Sequence, residues 1–217
     1  MKASHIKAVA WDIDGTLVDS EPLHLRALIA VSKQYGLDLS GEPDARFRGV
    51  HMSNVWRALA GQYPDDLTEE AWNGQIMDWY VAHAEGLEAM PGALETVKTL
   101  AERGIVQICV SNSSRKIVDT NIRTLGIAPY LLGSISFSDV KRGKPDPEPY
   151  VRAVSALGVA RETVLAVEDS ATGALSGRRG GLNVAFYRPE PDAPHFAEAD
   201  IEITDLRQLL ELPALAG

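Results

Sequence analysis

Little in this chain ties it to an oxidising compartment, a membrane or a nucleic acid. Its single cysteine, Cys109, cannot close an internal disulfide. It lies in an apolar run, so a buried thiol is expected. No apolar stretch approaches the roughly 18 residues that a transmembrane helix needs. The N-terminal region has lysines but no secretory apolar core with a cleavage site, which makes cytoplasmic residence the expectation. Positive charge is in deficit: 21 Lys and Arg against 30 Asp and Glu give a net charge of −9. No basic stripe is visible to neutralise a phosphate backbone, so neither a nucleic-acid nor a membrane partner is expected. Convincing repeats and low-complexity segments are also missing; Pro189 to Pro194 is a local proline-rich loop.

What is present suits a globular fold with a sizeable core. The chain has 217 residues, 45% hydrophobic and 24% charged. That length fits a single α/β unit or one large domain with an insertion, and it sets no oligomeric state. Short apolar runs read as strands at Ile6–Trp11, Ile105–Val110, Ser134–Phe137, Thr163–Val167, Leu182–Phe186 and Ile201–Ile203. Most alternate with helical segments whose apolar faces are legible: Leu94, Val97 and Ala101; Val118, Ile122 and Leu125; Tyr150, Val154 and Leu157. Three of these segments stop at a glycine followed by an aliphatic residue (Gly104-Ile105, Gly126-Ile127, Gly158-Val159), the signature of a left-handed cap. Alternation of this kind predicts a Rossmann-like α/β core, a mostly parallel sheet with helices on both faces.

Residues 20–89 break the alternation. Pro22 opens a helix carrying Leu28, Val31 and Tyr35. Met52, Val55, Trp56 and Leu59 form a second stripe. Trp72, Ile76, Trp79 and His83 form a third, with Thr68 as N-cap. This reads as an inserted α-helical domain between the two parts of a core, residues 1–19 and 90–217. The aromatic stripe reads as bundle core rather than a ligand box.

The chemistry gathers where apolar runs end. Asp12 and Asp14 follow the first run, in Asp12-Ile13-Asp14-Gly15-Thr16, a turn that carries two carboxylates. Such a pair can divide labour, one group attacking or holding a metal and the other handling protons. Ser111 and Asn112 end the second run. Lys144 sits in the loop beyond the third. Glu168 and Asp169 end the fourth. Taken singly, each has a bland reading: turn residue, turn hydroxyl, exposed loop lysine, or acid at a helix N-terminus. In a parallel sheet, however, all these run ends lie on one rim, where ligands bind.

Together the four segments resemble, in order, the four motifs of the haloacid dehalogenase-like superfamily. The subgroup with a helical cap is the one matched, as in β-phosphoglucomutase and phosphoglycolate phosphatase. The resemblance implies a phosphatase acting on a small phosphorylated metabolite such as a sugar phosphate or phosphoglycolate. Asp12 would be the nucleophile that forms an aspartyl-phosphate, and Asp14 the acid and base. Ser111 would bond a phosphoryl oxygen, and Lys144 would neutralise transferring charge. Asn112 is a weaker candidate for holding phosphate or substrate. Mg²⁺ would be held by Asp12, the Asp14 backbone carbonyl and Asp169, with Glu168 close by. Residues 20–89 would be the cap, with His24 and Arg48 as substrate contacts; a surface histidine is the bland reading of His24.

Departures from the pattern refine the expectation. Dehalogenases of the superfamily lack an acid where Asp14 stands, which favours phosphoryl chemistry here. The phosphonatase branch needs a cap lysine, and the insert has only Lys33, in a helix interior. Mutases carry an arginine where Met52 stands to hold a second phosphate, so hydrolysis is favoured over the sugar-phosphate mutase alternative. A non-catalytic binding or regulatory module would lack some of Asp12, Asp14, Lys144 and Asp169, and none is missing. Trp11 stands where phenylalanine is commoner.

Overall fold

The computed structural model describes residues 5–47, 50, 52–190, 192 and 194–216. They form two compact units, one of Met1–Asp19 with Glu88–Gly217 and the other of Ser20–Leu87.

The first unit is built on a strand that is buried on both faces. β1 (Ala8–Trp11) has no exposed residue, which is the burial that a central parallel strand demands. It is followed by β2 (Val18–Asp19), which pairs antiparallel with β3 (Glu88–Ala89). Those two residues, read from sequence as the end of the insert, therefore belong to the first unit. β4 (Val106–Val110), β5 (Gly133–Ile135), β6 (Val164–Glu168), β7 (Asn183–Tyr187) and β8 (Ile201–Ile203) complete a six-stranded parallel sheet in the order β5-β4-β1-β6-β7-β8. From β1 the chain runs outward through β4 and β5, then returns to β6 and runs outward the other way. The order thus reverses between β1 and β6, and in open α/β sheets ligands bind beyond the carboxyl ends of strands at such a reversal. Trp11 is paired with Cys109 on one side and Val167 on the other, so Asp12 leaves the sheet level with the ends of both neighbours.

Strand bounds differ from the sequence expectation where polar groups take over the backbone. β5 stops at Ile135 because Ser136 and Asp139 form a capping box around the turn Phe137–Asp139, leaving Phe137 half-exposed. β6 gains Glu168, whose backbone pairs with Phe186. The helices are α4 (Ala93–Glu102), α5 (Arg115–Leu125), α6 (Glu148–Leu157) and α7 (Ala171–Arg179), with α1 to α3 in the second unit. Gly126 and Gly158 end α5 and α6 in left-handed caps, as expected. On α4 the expected stripe is corrected: Leu94 is exposed, and Ala93, Thr96, Val97 and Leu100 are buried. Trp11, large for its place, has a partner: its indole N–H donates to Gln107 at 2.9 Å.

The second unit holds α1 (Glu21–Gln34), α2 (Met52–Leu59) and α3 (Glu69–Ala82). Pro22 sits in the first turn of α1, and the Thr68 hydroxyl caps α3 by accepting from the Ala71 N–H. Trp56, Tyr63 and Trp72 pack ring against ring, with Trp72 fully buried; this is core. Trp72, Ile76 and Tyr80 form the buried face of α3, whereas His83 is exposed and stacks on Trp79. Among the described residues, no helix is long and apolar enough to cross a membrane.

Candidate active site

The turn after β1 is shaped to bring a carboxylate from another strand against it. The Asp12 N–H donates to the Val167 carbonyl at 2.9 Å, continuing the ladder one residue past β1. Gly15 then adopts φ 83°, and a Cβ there would lie 2.3 Å from Asp169 Oδ2. Only glycine allows both the left-handed conformation and that approach. Thr16 donates its hydroxyl to Asp169 Oδ1 at 3.3 Å, tying the turn to the end of β6.

Lys144 is the hub of the charged cluster. Its Nζ lies 2.5 Å from Asp12 Oδ1, 2.6 Å from Glu168 Oε1 and 2.8 Å from the Val110 carbonyl. The ammonium is buried, as are Asp12 and Glu168. The Tyr150 hydroxyl, from α6, donates to the same Glu168 oxygen. Lys144 is held from behind by a reciprocal pair. Its N–H donates to Asn112 Oδ1 at 2.8 Å, and Asn112 Nδ2 donates to its carbonyl at 3.1 Å. Asn112, expected near phosphate or substrate, thus directs its side-chain amide to the loop that carries Lys144.

Charge in this cluster is unbalanced. Asp12, Glu168 and Asp169 face one ammonium. Burial pushes the Asp12 carboxyl up to about 7; Lys144 pulls it down, and Glu168 and Asp14 push it further up. Burial and the nearby Asp12 charge raise Asp169 to about 7. Burial also raises Glu168, against the pull of Lys144. For Lys144, burial alone would lower the value, but Asp12 and Glu168 outweigh it and hold the ammonium raised. Oxygens of Asp12, Glu168 and Asp169 lie within 4.8 Å of one another. Hard oxygen ligands converging with excess negative charge fit a divalent cation.

Asp14 is not in that group of oxygens. Its carboxylate turns towards β4 and α5, accepting from Ser113 Oγ at 2.8 Å, Ser111 Oγ at 3.1 Å and Asn121 Nδ2 at 3.1 Å. Ser113, Asn121 and Tyr150 were not identified from sequence. Asn121 had left a signal, as an amide between the apolar residues Val118 and Ile122 of α5. His24 lies in the second unit, its ring 4.4 Å from that of Tyr80. Arg48, the other expected substrate contact, lies outside the described residues.

Gly173, in the first turn of α7, makes room for Glu168: a Cβ there would fall 1.8 Å from Glu168 Oε2. In an open helix Gly→Ala gains up to about 1 kcal/mol. Here overpacking costs about 1–3 kcal/mol, which offsets or exceeds that gain. Gly173→Ala is therefore expected to lower the melting temperature, as thermal unfolding will show; an unchanged or higher value would mean that Glu168 can move aside freely.

Residues 6–181 match the haloacid dehalogenase-like hydrolase family, and they span β1, the second unit and all four rim segments. The chain belongs to that family. This haloacid dehalogenase-like hydrolase is 29% identical to hexitol phosphatase A of Escherichia coli K12, over 94% of this chain and 93% of that protein. It is 30% identical to validoxylamine A 7′-phosphate phosphatase of Streptomyces hygroscopicus subsp. limoneus, over 94% and 95%. Among solved structures it resembles a family hydrolase from Deinococcus radiodurans R1 with bound phosphate and sodium. There the TM-score is 0.74 and the identity 27%, covering 99% of this chain and 98% of that one.

Proposed function

We propose that this hydrolase is a Mg²⁺-dependent phosphatase of sugar-phosphate monoesters, working through an aspartyl-phosphate on Asp12. The observation that carries the reading is the pairing of Asp12 with Lys144 at 2.5 Å beside a second carboxylate, Asp14, held by separate donors. One carboxylate is set to react and the other to move protons. Phosphatases of sugar-like phosphates among the relatives support the substrate class. Phosphate and sodium bound in the Deinococcus structure support an anion and a cation site in such a fold.

Asp12 attacks phosphorus as Asp14 gives a proton to the departing alcohol oxygen. Asp14 then takes a proton from the water that cleaves the aspartyl-phosphate. Ser111 donates to a phosphoryl oxygen, and Lys144 neutralises charge that builds on the transferring group. Asp12, Asp169 and the Asp14 carbonyl, with Glu168 close by, would hold Mg²⁺, which supplies further neutralisation of nucleophile and phosphate. Residues 20–87 would act as a cap that excludes bulk water, with His24 and Arg48 contacting substrate.

A metabolite panel of phosphate esters, assayed with Mg²⁺ and with EDTA, tests this. Release of phosphate from sugar phosphates is expected, and EDTA should abolish it; undiminished turnover in EDTA would contradict the metal assignment. Incubation with β-glucose 1-phosphate and a trace of bisphosphate primer is expected to give free glucose rather than glucose 6-phosphate. Met52 offers no cation for a second phosphate.

A further inference from the structure

The donors that hold Asp14 differ in what they can do once phosphate is present. Ser111 has a single hydroxyl hydrogen, and it is given to Asp14. In the proposed reaction, on which this inference rests, that hydrogen turns to a phosphoryl oxygen. Ser111 must then release Asp14. Ser113 is half-exposed on the loop before α5, and its hydroxyl can rotate away to other acceptors. Asn121 is different. It is fully buried on α5, beside the buried residues Ile117, Val118 and Thr120. A buried amide needs a partner, and Asn121 Nδ2 has one in Asp14 Oδ1, 107 residues away in sequence.

The geometry points to Asn121 as the positioning residue that keeps Asp14 aimed at the leaving oxygen when Ser111 engages phosphate. In that step a bond forms from an Asp12 oxygen to phosphorus. The bond from phosphorus to the ester oxygen breaks, its electron pair passes to that oxygen, and Asp14 supplies the proton. Asn121 touches none of the reacting atoms and acts through Asp14.

Two aryl esters of similar shape separate this role from a merely structural one. Phenyl phosphate has a poor leaving group that needs the proton. 2,4-Dinitrophenyl phosphate releases a stable phenolate that does not. Asn121→Leu is expected to lower kcat/KM on phenyl phosphate about tenfold or more, while kcat/KM on the dinitrophenyl ester stays within about twofold. Cleavage of the aspartyl-phosphate, common to both esters and also served by Asp14, does not enter kcat/KM. Asn121→Ser, which keeps a small polar group in the buried face, should show the same split and serves if the leucine variant does not fold. Adding Asn121→Leu to Asp14→Asn should cause no further loss on phenyl phosphate. Equal losses on the two esters, or an additional loss in the double variant, would overturn the inference while leaving the phosphatase reading intact. A parent enzyme that cleaves neither ester would overturn both.

Discussion

Asp12→Asn will lower turnover of 4-nitrophenyl phosphate by about four orders of magnitude or more, the scale on which removal of a nucleophile acts. The folded protein should melt no lower than the parent above about pH 7, and the sign follows from linkage. The Asp12 carboxyl is raised to about 7, first by burial and then by Glu168 and Asp14, against the pull of Lys144. A raised carboxyl contributes stability that is fully present below its unfolded value and is lost as pH rises through about 7. A neutral amide removes that penalty, and Lys144 keeps Glu168 as its partner. Activity and stability should therefore move independently, by steady-state assay and thermal unfolding. Turnover lost together with the fold would leave the nucleophile assignment without support.

Lys144→Met should act on both. The substitution leaves Asp12 and Glu168 buried with no cation between them. Breaking one side of a buried ion pair costs about 3–5 kcal/mol, because the remaining charge is stranded away from water. Denaturant unfolding of the metal-free variant should show that loss at about pH 8 and a smaller one at about pH 5.5, where the stranded carboxyls pick up protons. An equal loss at both pH values would mean that packing, not charge, is what Lys144 contributes. Turnover should fall steeply even where the variant is folded, since the transferring phosphoryl group loses its cation.

Much of this site was legible in the sequence because its main groups sit where strands end. Asp12, Ser111 and Asp169 each follow an apolar run, and Lys144 lies in the loop beyond one, so local pattern and sheet topology suffice to bring them to one rim. The helices of the second unit were legible from their stripes and from Pro22 and Thr68. What escaped depends on contacts across the fold. Tyr150 looked like one more apolar position of α6, and only packing shows that its hydroxyl reaches Glu168. Gly173 carries no local signal: only the fold puts the Glu168 carboxylate in the space that a side chain there would fill. Asn121 is an amide among apolar residues of α5, and its partner Asp14 lies 107 residues away after β1, so nothing local tied the two together. Leu94 and His83 were misplaced because periodicity marks a face without saying where that face stops.

The most direct measurement of the central claim is to trap the covalent intermediate. The enzyme is mixed with a rapidly cleaved phosphate ester and Mg²⁺, quenched in acid within a turnover, digested and examined by mass spectrometry. The account predicts a phosphoryl group on the peptide that contains Asp12, reducible by borohydride to homoserine at that position and absent from Asp12→Asn. A phosphoryl group on Ser111 instead, or full turnover by Asp12→Asn with no adduct on any residue, would contradict it.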